Sequence, residues 1–266
     1  MPSIRAPKVD WTRQQLLAVL HLYTQMPFGQ LDARNAKVKQ LAIWQGRSPN
    51  SVAMKLTNLS SLDPVIVARG LSGLRGASAL DRAVWNEFHE NWAQMSAEAE
   101  REYARLAALN GAPLEELDDE VDELPRVIAE GKTRSAIVNV RVNQWKFRKS
   151  IIANYRARCC ISGLENTQLL NASHIVPWSD DHKNRMNPQN GLCLSALHDR
   201  AFDLGLLTVM PDFRVRVSKA LKTKTANTFL QDSLLRFDNE AILMPARYGP
   251  DPRFLESHAR RFGFIK

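Results

Sequence analysis

Long apolar runs are absent from this chain of 266 residues, and none approaches the ~20 residues that a membrane-spanning helix requires. The first residues, Met-Pro-Ser-Ile-Arg, lack the apolar core of a signal peptide. Three cysteines are present, without the Cys-x-x-Cys pair that indicates a four-ligand zinc site or a disulfide framework. We therefore expect a cytoplasmic protein without a membrane segment, in which Cys159, Cys160 and Cys193 are buried and reduced and no structural zinc is bound.

Charge is distributed unevenly along the chain, whose net charge is +8. Residues 1–78 carry 10 basic and 3 acidic side chains, residues 79–131 carry 4 and 14, and residues 132–266 carry 22 and 11. Two basic blocks separated by an acidic block favour two surfaces that bind a polyanion, joined by a segment that does not. Nucleic acid is the partner that this distribution indicates.

Two short motifs contain the side chains best suited to catalysis. The first is Asn-Ala-Ser-His-Ile-Val-Pro-Trp at 171–178, with His174; the second is Asn-Gly-Leu-Cys-Leu-Ser-Ala-Leu-His at 190–198, with Asn190 and His198. The first predicts a strand that ends at its proline, and the second predicts a turn, a short strand and a helix capped by serine. Such a fold brings two imidazoles and an amide into one pocket, as hydrolysis of a phosphodiester requires.

These motifs resemble the HNH, or ββα-metal, endonuclease family over roughly residues 155–210. The resemblance implies that His174 is the general base, that Asn190 orients this base, and that His198 is a metal ligand. Many members have an acidic residue or histidine at the position of Ser173, so a second ligand is missing there. Asp203, which follows the predicted helix, is our candidate for it. The resemblance implies Mg²⁺ or Mn²⁺ as the cofactor.

The polar loop 179–189 contains Arg185, which could clamp a phosphate through two parallel hydrogen bonds. Asp180, Asp181 and His182 lie in the same loop and could suggest a metal cluster. A polar loop that crosses between two strands explains these three residues as well, and we favour that interpretation.

The N-terminal block predicts three helices, of which the third is capped by Ser48, has Pro49 in its first turn and buries Val52, Leu56 and Leu59. The segment resembles a trihelical helix-turn-helix module. We expect the opposite, polar face of the third helix to contact DNA, because amides and ammonium groups recognise base edges and phosphates. The residues on this face are Asn50, Ser51, Lys55 and Asn58.

The acidic middle block contains a helical apolar stripe, which indicates either intramolecular core or a dimer seam; its residues are Leu80, Val84, Phe88, Trp92 and Met95. The acidic run 115–123 predicts a solvated linker. A basic helix then leads into the second half of the chain, and we expect Lys146, Arg148 and Lys149 on it to follow a phosphate backbone.

Taken as a whole, the sequence predicts an α+β protein: a helix-turn-helix-like domain (1–62), a helical spacer and acidic linker (63–131) and an HNH nuclease domain (132–266). The predicted function is cleavage of double-stranded DNA, as a restriction or other anti-invader endonuclease. A homodimer is expected if both strands are cut at a symmetric site. The alternatives are a DNA-binding regulator with a decayed HNH site, and a nuclease for RNA or branched DNA.

Overall fold

The computed structural model describes residues 10–26, 28–68, 76–112, 134–222 and 227–266, and it is an α+β structure as predicted. The predicted linker 115–123 lies outside the described residues. Within the described ranges, none of the helices has the length and apolarity that crossing a bilayer demands. All three cysteines are buried as free thiols.

In the described residues from 10 to 112, the α-helices are α1 (Arg13–Gln25), α2 (Ala36–Trp44), α3 (Pro49–Ser60), α4 (Pro64–Ala68), α5 (Ala79–Glu90) and α6 (Trp92–Leu109). The side chains of Thr12 and Ser48 cap the N-termini of α1 and α3. The Thr12 hydroxyl accepts from the Gln15 backbone N–H at 3.2 Å, and the Ser48 hydroxyl accepts from the Ser51 N–H at the same distance. Each cap satisfies a backbone donor that the helix leaves unpaired, and the Ser48 cap confirms the predicted start of the third helix.

The spacer helices α5 and α6 share one hydrophobic core with α1, α2 and α3. The apolar stripe from Val84 to Met95 is buried in that core. Of the two predicted alternatives, intramolecular core and dimer seam, the first is therefore correct. The predicted boundary at residue 62 therefore lies inside a single packed unit, which the structure describes over residues 10–112 apart from its gaps.

The second part of the chain is α7 (Arg134–Asn154), β1 (Leu170–His174), β2 (Gly191–Ser195), α8 (Ala196–Asp203), β3 (Leu207–Val209), β4 (Val215–Val217), α9 (Lys219–Lys222), α10 (Thr228–Ser233) and α11 (Pro252–Arg261). β1 pairs with β2 and β3 with β4, both antiparallel. The second pair confirms the hairpin that the turn residues Met210-Pro211-Asp212 predict.

A buried arginine connects the two parts. Arg247 is 1% exposed, and its guanidinium donates to the backbone carbonyls of Tyr23 and Met26 at the end of α1. Its own backbone N–H donates to the Asn154 side chain at the end of α7 at 2.9 Å. Because the carbonyls at a helix end lack partners within the helix, Arg247 satisfies them and joins α1 to α7.

Candidate active site

The predicted strand, strand and helix form around one hairpin. His174 lies opposite Gly191 at one end of the β1–β2 pair, and Leu170 lies opposite Ser195 at the other. Ser195 caps α8 by accepting from the His198 backbone N–H at 3.3 Å. A Cβ added at Gly191 would lie 2.7 Å from the Phe147 ring, so the glycine lets α7 pack directly on the hairpin.

His174 is held in one orientation and one tautomer. Its ring stacks on Phe147, with centroids 3.7 Å apart and planes 11° apart, and its Nε2 lies 2.9 Å from the Arg185 carbonyl oxygen. A carbonyl only accepts hydrogen bonds, so Nε2 carries the proton and Nδ1 keeps the lone pair. Burial lowers the pKa of His174 to about 4, although the Arg185 carbonyl opposes that shift. The imidazole is therefore neutral at pH 7, as a base must be.

Asn190 ties together the two ends of the loop that follows His174. Its Oδ1 accepts from the Val176 N–H at 2.8 Å, and its Nδ2 donates to the Val176 carbonyl at 3.1 Å and to the Asn184 carbonyl at 3.4 Å. The side chain is 1% exposed. Because the Arg185 carbonyl that holds His174 is next to Asn184, this amide positions the carbonyl and, through it, the imidazole.

Arg185 lies beside the base. Its Nε donates to the Trp178 carbonyl at 2.8 Å, and its guanidinium lies 5.1 Å from the centroid of the Trp178 ring. The edge of the same ring meets His174, with centroids 5.4 Å apart. The Arg185 charge also contributes to the lowered pKa of His174. A half-buried guanidinium near a neutral imidazole places a phosphate-binding group and a proton acceptor in one loop.

His198 lies in the protein interior instead of the site. It is 3% exposed, with Nε2 2.8 Å from the Ser233 carbonyl oxygen and Nδ1 2.8 Å from the Ser195 hydroxyl. Nδ1 is also 3.5 Å from the Cys159 sulfur. Since a carbonyl requires a donor, Nε2 is protonated, and Nδ1 is engaged by Ser195. In this arrangement His198 has no lone pair facing a metal ion.

The sequence reasoning missed Asp199. Its Oδ1 accepts from the Ser173 hydroxyl at 2.5 Å, and its Oδ2 accepts from the Asn171 amide at 2.7 Å. Ser173 stands where many family members have a charged metal ligand. Its hydroxyl instead holds the Asp199 carboxylate of α8 beside β1. The signal was present in the sequence, because Asp199 and Asp203 are four residues apart and so lie on one helix face.

Asp203 is exposed at the end of α8, and its pKa is raised, first by burial of part of the carboxyl and then by the charge of Asp199. A divalent cation would relieve that repulsion, and Mg²⁺ is commonly held by one or two carboxylates together with water. The described part of the chain contains no group of three or more His, Cys, Asp or Glu side chains that could hold a metal ion. The oxygen donors of Asp199 and Asp203 fit Mg²⁺ in this water-rich mode, and the buried His198 does not.

The basic residues of α7 differ in their surroundings. Lys146 is buried, and its amine pairs with Glu100 on α6. Arg148 donates to the backbone carbonyls of Leu170 and Thr167, the latter at 3.1 Å. Lys149 is half-buried, with its amine 4.6 Å from the centroid of the Trp145 ring. Lys146 therefore pairs with a carboxylate inside the protein instead of facing a phosphate. Arg148 stabilises the start of β1 through its two carbonyl partners. The phosphate contact of Lys149 stays a prediction.

The polar face predicted for α3 is largely covered. Lys55 is 9% exposed, and its amine lies 2.8 Å and 2.9 Å from the two carboxylate oxygens of Asp81 on α5. Asn58 is 4% exposed. Because α5 packs over this face, neither side chain is accessible to DNA. Asn50 is exposed and Ser51 half-buried at the start of the helix, and their contact with DNA stays a prediction.

The loop 179–189 is organised by its own polar residues. The Asp181 carboxylate accepts from the Asn184 backbone and side chain, at 3.1 Å and 2.6 Å. Asp180 accepts from Arg261 at 3.0 Å, and His182 is exposed. These partners agree with the interpretation of the three residues as parts of a polar loop.

Comparison with known families supports the resemblance. Residues 159–210 match a family model described as HNH endonuclease. The match includes β1, β2, α8 and β3, and therefore every site residue from His174 to Asp203; the N-terminal helices and α11 lie outside it. A search of curated proteins found no match to the chain.

Proposed function

Because residues 159–210 form an HNH endonuclease domain, we propose that this protein is a metal-dependent DNA endonuclease with His174 as its general base. The observation that carries the proposal is the state of His174. The imidazole is neutral, the Arg185 carbonyl fixes its tautomer so that Nδ1 keeps a lone pair, and the Arg185 charge acts on the same ring. A base, a base-orienting group and a cation for phosphate thus lie in one loop and hairpin.

In the reaction, His174 accepts a proton from water at Nδ1, the resulting hydroxide attacks the phosphorus, the bond from phosphorus to the leaving sugar oxygen breaks, and that oxygen takes up a proton from solvent. Arg185 binds a non-bridging phosphate oxygen and opposes the negative charge that develops there. Asn190 acts as a positioning residue, because it holds the loop whose carbonyl orients His174. A divalent cation held by Asp199 and Asp203 would stabilise the phosphate and the leaving oxygen.

The same geometry gives His198 a positioning role. Its two nitrogens connect the start of α8, through Ser195, to the end of α10, through Ser233. We propose that this connection sets the position of α8, on which Asp199 and Asp203 lie. Magnesium or manganese suits these carboxylates better than zinc, which prefers nitrogen and sulfur ligands.

Double-stranded DNA is the proposed substrate. The two basic blocks of the sequence, the exposed Asn50 and the half-buried Lys149 support this choice. A separate helical domain beside a cutting domain suits cleavage directed to particular sites, as in restriction or other defence against invading DNA. One active site cuts one strand, so a cytoplasmic homodimer would cut both strands of a symmetric site.

A DNA-binding regulator with a decayed nuclease site is the second candidate. The observation that favours it is the engagement of both His198 nitrogens by protein groups. A protein of this kind would bind duplex DNA with the same salt dependence but would not cut it with any divalent cation.

The first test is cleavage of duplex DNA by the purified protein with magnesium, with manganese and with EDTA, beside single-stranded RNA and branched DNA. We expect duplex cleavage that requires the metal, and a loss of ~10²–10⁴-fold in rate for His174→Ala at nearly unchanged DNA affinity. His182→Ala, in the same loop but exposed, is the matched control and should cut normally. Near wild-type cleavage by His174→Ala would remove the base assignment, and DNA binding without any cleavage would favour the regulator.

A second test separates the carboxylates from His198. Asp203→Asn and Asp199→Asn should raise the magnesium concentration for half-maximal cleavage, because each removes a charged ligand. His198→Gln should lower the melting temperature and raise the half-maximal concentration by less than either aspartate variant does, because it disturbs the position of α8 without removing a carboxylate. Asp232→Asn, on the exposed surface of α10, is the control. If His198→Gln shifts the magnesium titration and the two aspartate variants do not, the metal-binding role returns to His198.

A further inference from the structure

Arg261 reaches the site from outside the matched domain. It is the last residue of α11, which packs against β3. The next residue, Phe262, lies against Gly205 in the turn after α8, where an added Cβ would be 2.2 Å from the ring. Gly205 has a φ of +65°, so both its conformation and its lack of a side chain suit this contact. The end of α11 is therefore held against the end of α8.

The guanidinium of Arg261 lies between that turn and the active-site loop. Its Nη1 donates to the Asp180 carboxylate at 3.0 Å, and both side chains are about half exposed, at 51% and 49%. The guanidinium also interacts electrostatically with Asp203 at the end of α8. The Arg261 charge thus acts on one of the carboxylates proposed to hold the cation.

The same loop positions two arginines. The Trp178 carbonyl holds Arg185 on the side of His174, and Asp180, two residues later, holds Arg261 on the side of Asp203. Both guanidinium groups are partly exposed. Because a guanidinium has five N–H donors, each keeps several donors for a phosphate after one hydrogen bond within the protein. Two guanidinium groups held by one loop give this surface two binding positions for a polyanion such as a nucleic-acid strand, which presents one phosphate after another.

We propose that Arg261 is a second phosphate-binding residue, which exchanges Asp180 for a phosphate of the DNA strand when the substrate binds. This inference rests on the proposed function. The exchange is physically reasonable because an exposed ion pair contributes little, whereas a phosphate offers a full charge and two acceptors to the guanidinium. Asp180 then serves to hold Arg261 in place while DNA is absent.

Equilibrium binding to duplex DNA in EDTA, measured at several salt concentrations, tests this exchange without cleavage. Arg261→Gln should bind about tenfold more weakly, and the slope of log K against log salt should fall by about 0.9, as for one lost phosphate contact. Arg261→Lys keeps the charge and should keep the slope. Arg260→Gln is the matched control, because Arg260 pairs with Glu256 on its own helix at 2.7 Å.

The direction in which Asp180→Asn changes DNA affinity decides between two roles of Arg261. If Asp180 competes with phosphate for Arg261, its removal should tighten binding, by up to about fivefold for an exposed pair. If Arg261 merely holds the loop through Asp180, both Asp180→Asn and Arg261→Gln should weaken binding, and that result overturns the inference. Unchanged binding by Arg261→Gln in a protein that binds and cuts DNA also overturns it. A wild-type protein that neither binds nor cuts duplex DNA refutes the proposed function itself.

Discussion

The two histidines of the motif show how far a residue's chemistry depends on its partners. His174 and His198 each donate from Nε2 to a backbone carbonyl, of Arg185 and Ser233 respectively. Nδ1 of His198 meets a hydroxyl and a thiol, whereas Nδ1 of His174 keeps its lone pair. The same side chain therefore suits a base in one position and an internal connection in the other.

The lowered pKa of His174 predicts the acid limit of the reaction. A histidine with an ordinary pKa of ~6.5 would be mostly protonated at pH 5.5, whereas burial keeps His174 neutral there, with a pKa of about 4. We expect the inflection of the single-turnover rate, measured at saturating magnesium, to lie near pH 4. Circular dichroism at each pH monitors folding, and NMR titration of the His174 ring protons measures the same pKa directly. An inflection near pH 6.5 in both measurements would contradict the assigned burial of the base.

At the scale of elements, α3 illustrates the limit of a helical pattern. The apolar stripe of α3 predicts which face meets the core, and that face is buried as expected. The pattern does not show that α5 packs over much of the opposite face. Lys55 and Asn58 are therefore internal, while Asn50 stays accessible because it lies at the start of the helix.

The burial of Lys55 makes a prediction about stability. Lys55→Met leaves the Asp81 carboxylate buried without its cation, at 0% exposure. Breaking a buried pair from one side typically costs ~3–5 kcal/mol, so we expect a lower free energy of unfolding by that amount in urea denaturation. The double variant Lys55→Met with Asp81→Asn should recover part of the loss, and Lys39→Met on the exposed surface of α2 should change little. Weaker DNA binding at full stability would instead return Lys55 to the DNA-binding surface.

At the scale of the whole molecule, the helical domain and the nuclease domain are in direct contact. Arg247 bonds to the end of α1 and, through its backbone, to the end of α7, and Lys146 pairs with Glu100 across the same boundary. These contacts hold the end of α1 against the end of α7.

Arg247 is the residue on which this coupling can be tested. Arg247→Met leaves the carbonyls of Tyr23 and Met26 without their donor, and we expect a loss of about 2–4 kcal/mol from buried unsatisfied groups. Calorimetry should then show two separated unfolding transitions in place of one, because the domains lose a shared connection. Arg253→Met, whose exposed side chain pairs with Asp251, is the control. A single transition, unchanged in temperature, would mean that the two domains are joined by other contacts.

The sequence alone determined the ββα arrangement, the start of α3 at its Ser48 cap and the place of His174 at the end of a strand, because caps, turns and strand ends act within a few residues. Tertiary structure decided what the rest of the site contains: the inward direction of His198, the contact of Asp199 with Ser173 and the arrival of Arg261 beside Asp180. These contacts join residues far apart in the chain, as Lys55 joins Asp81 across 26 positions and Arg247 joins Tyr23 across 224. Periodicity shows that a face is polar, but only the packing of distant elements shows what covers it.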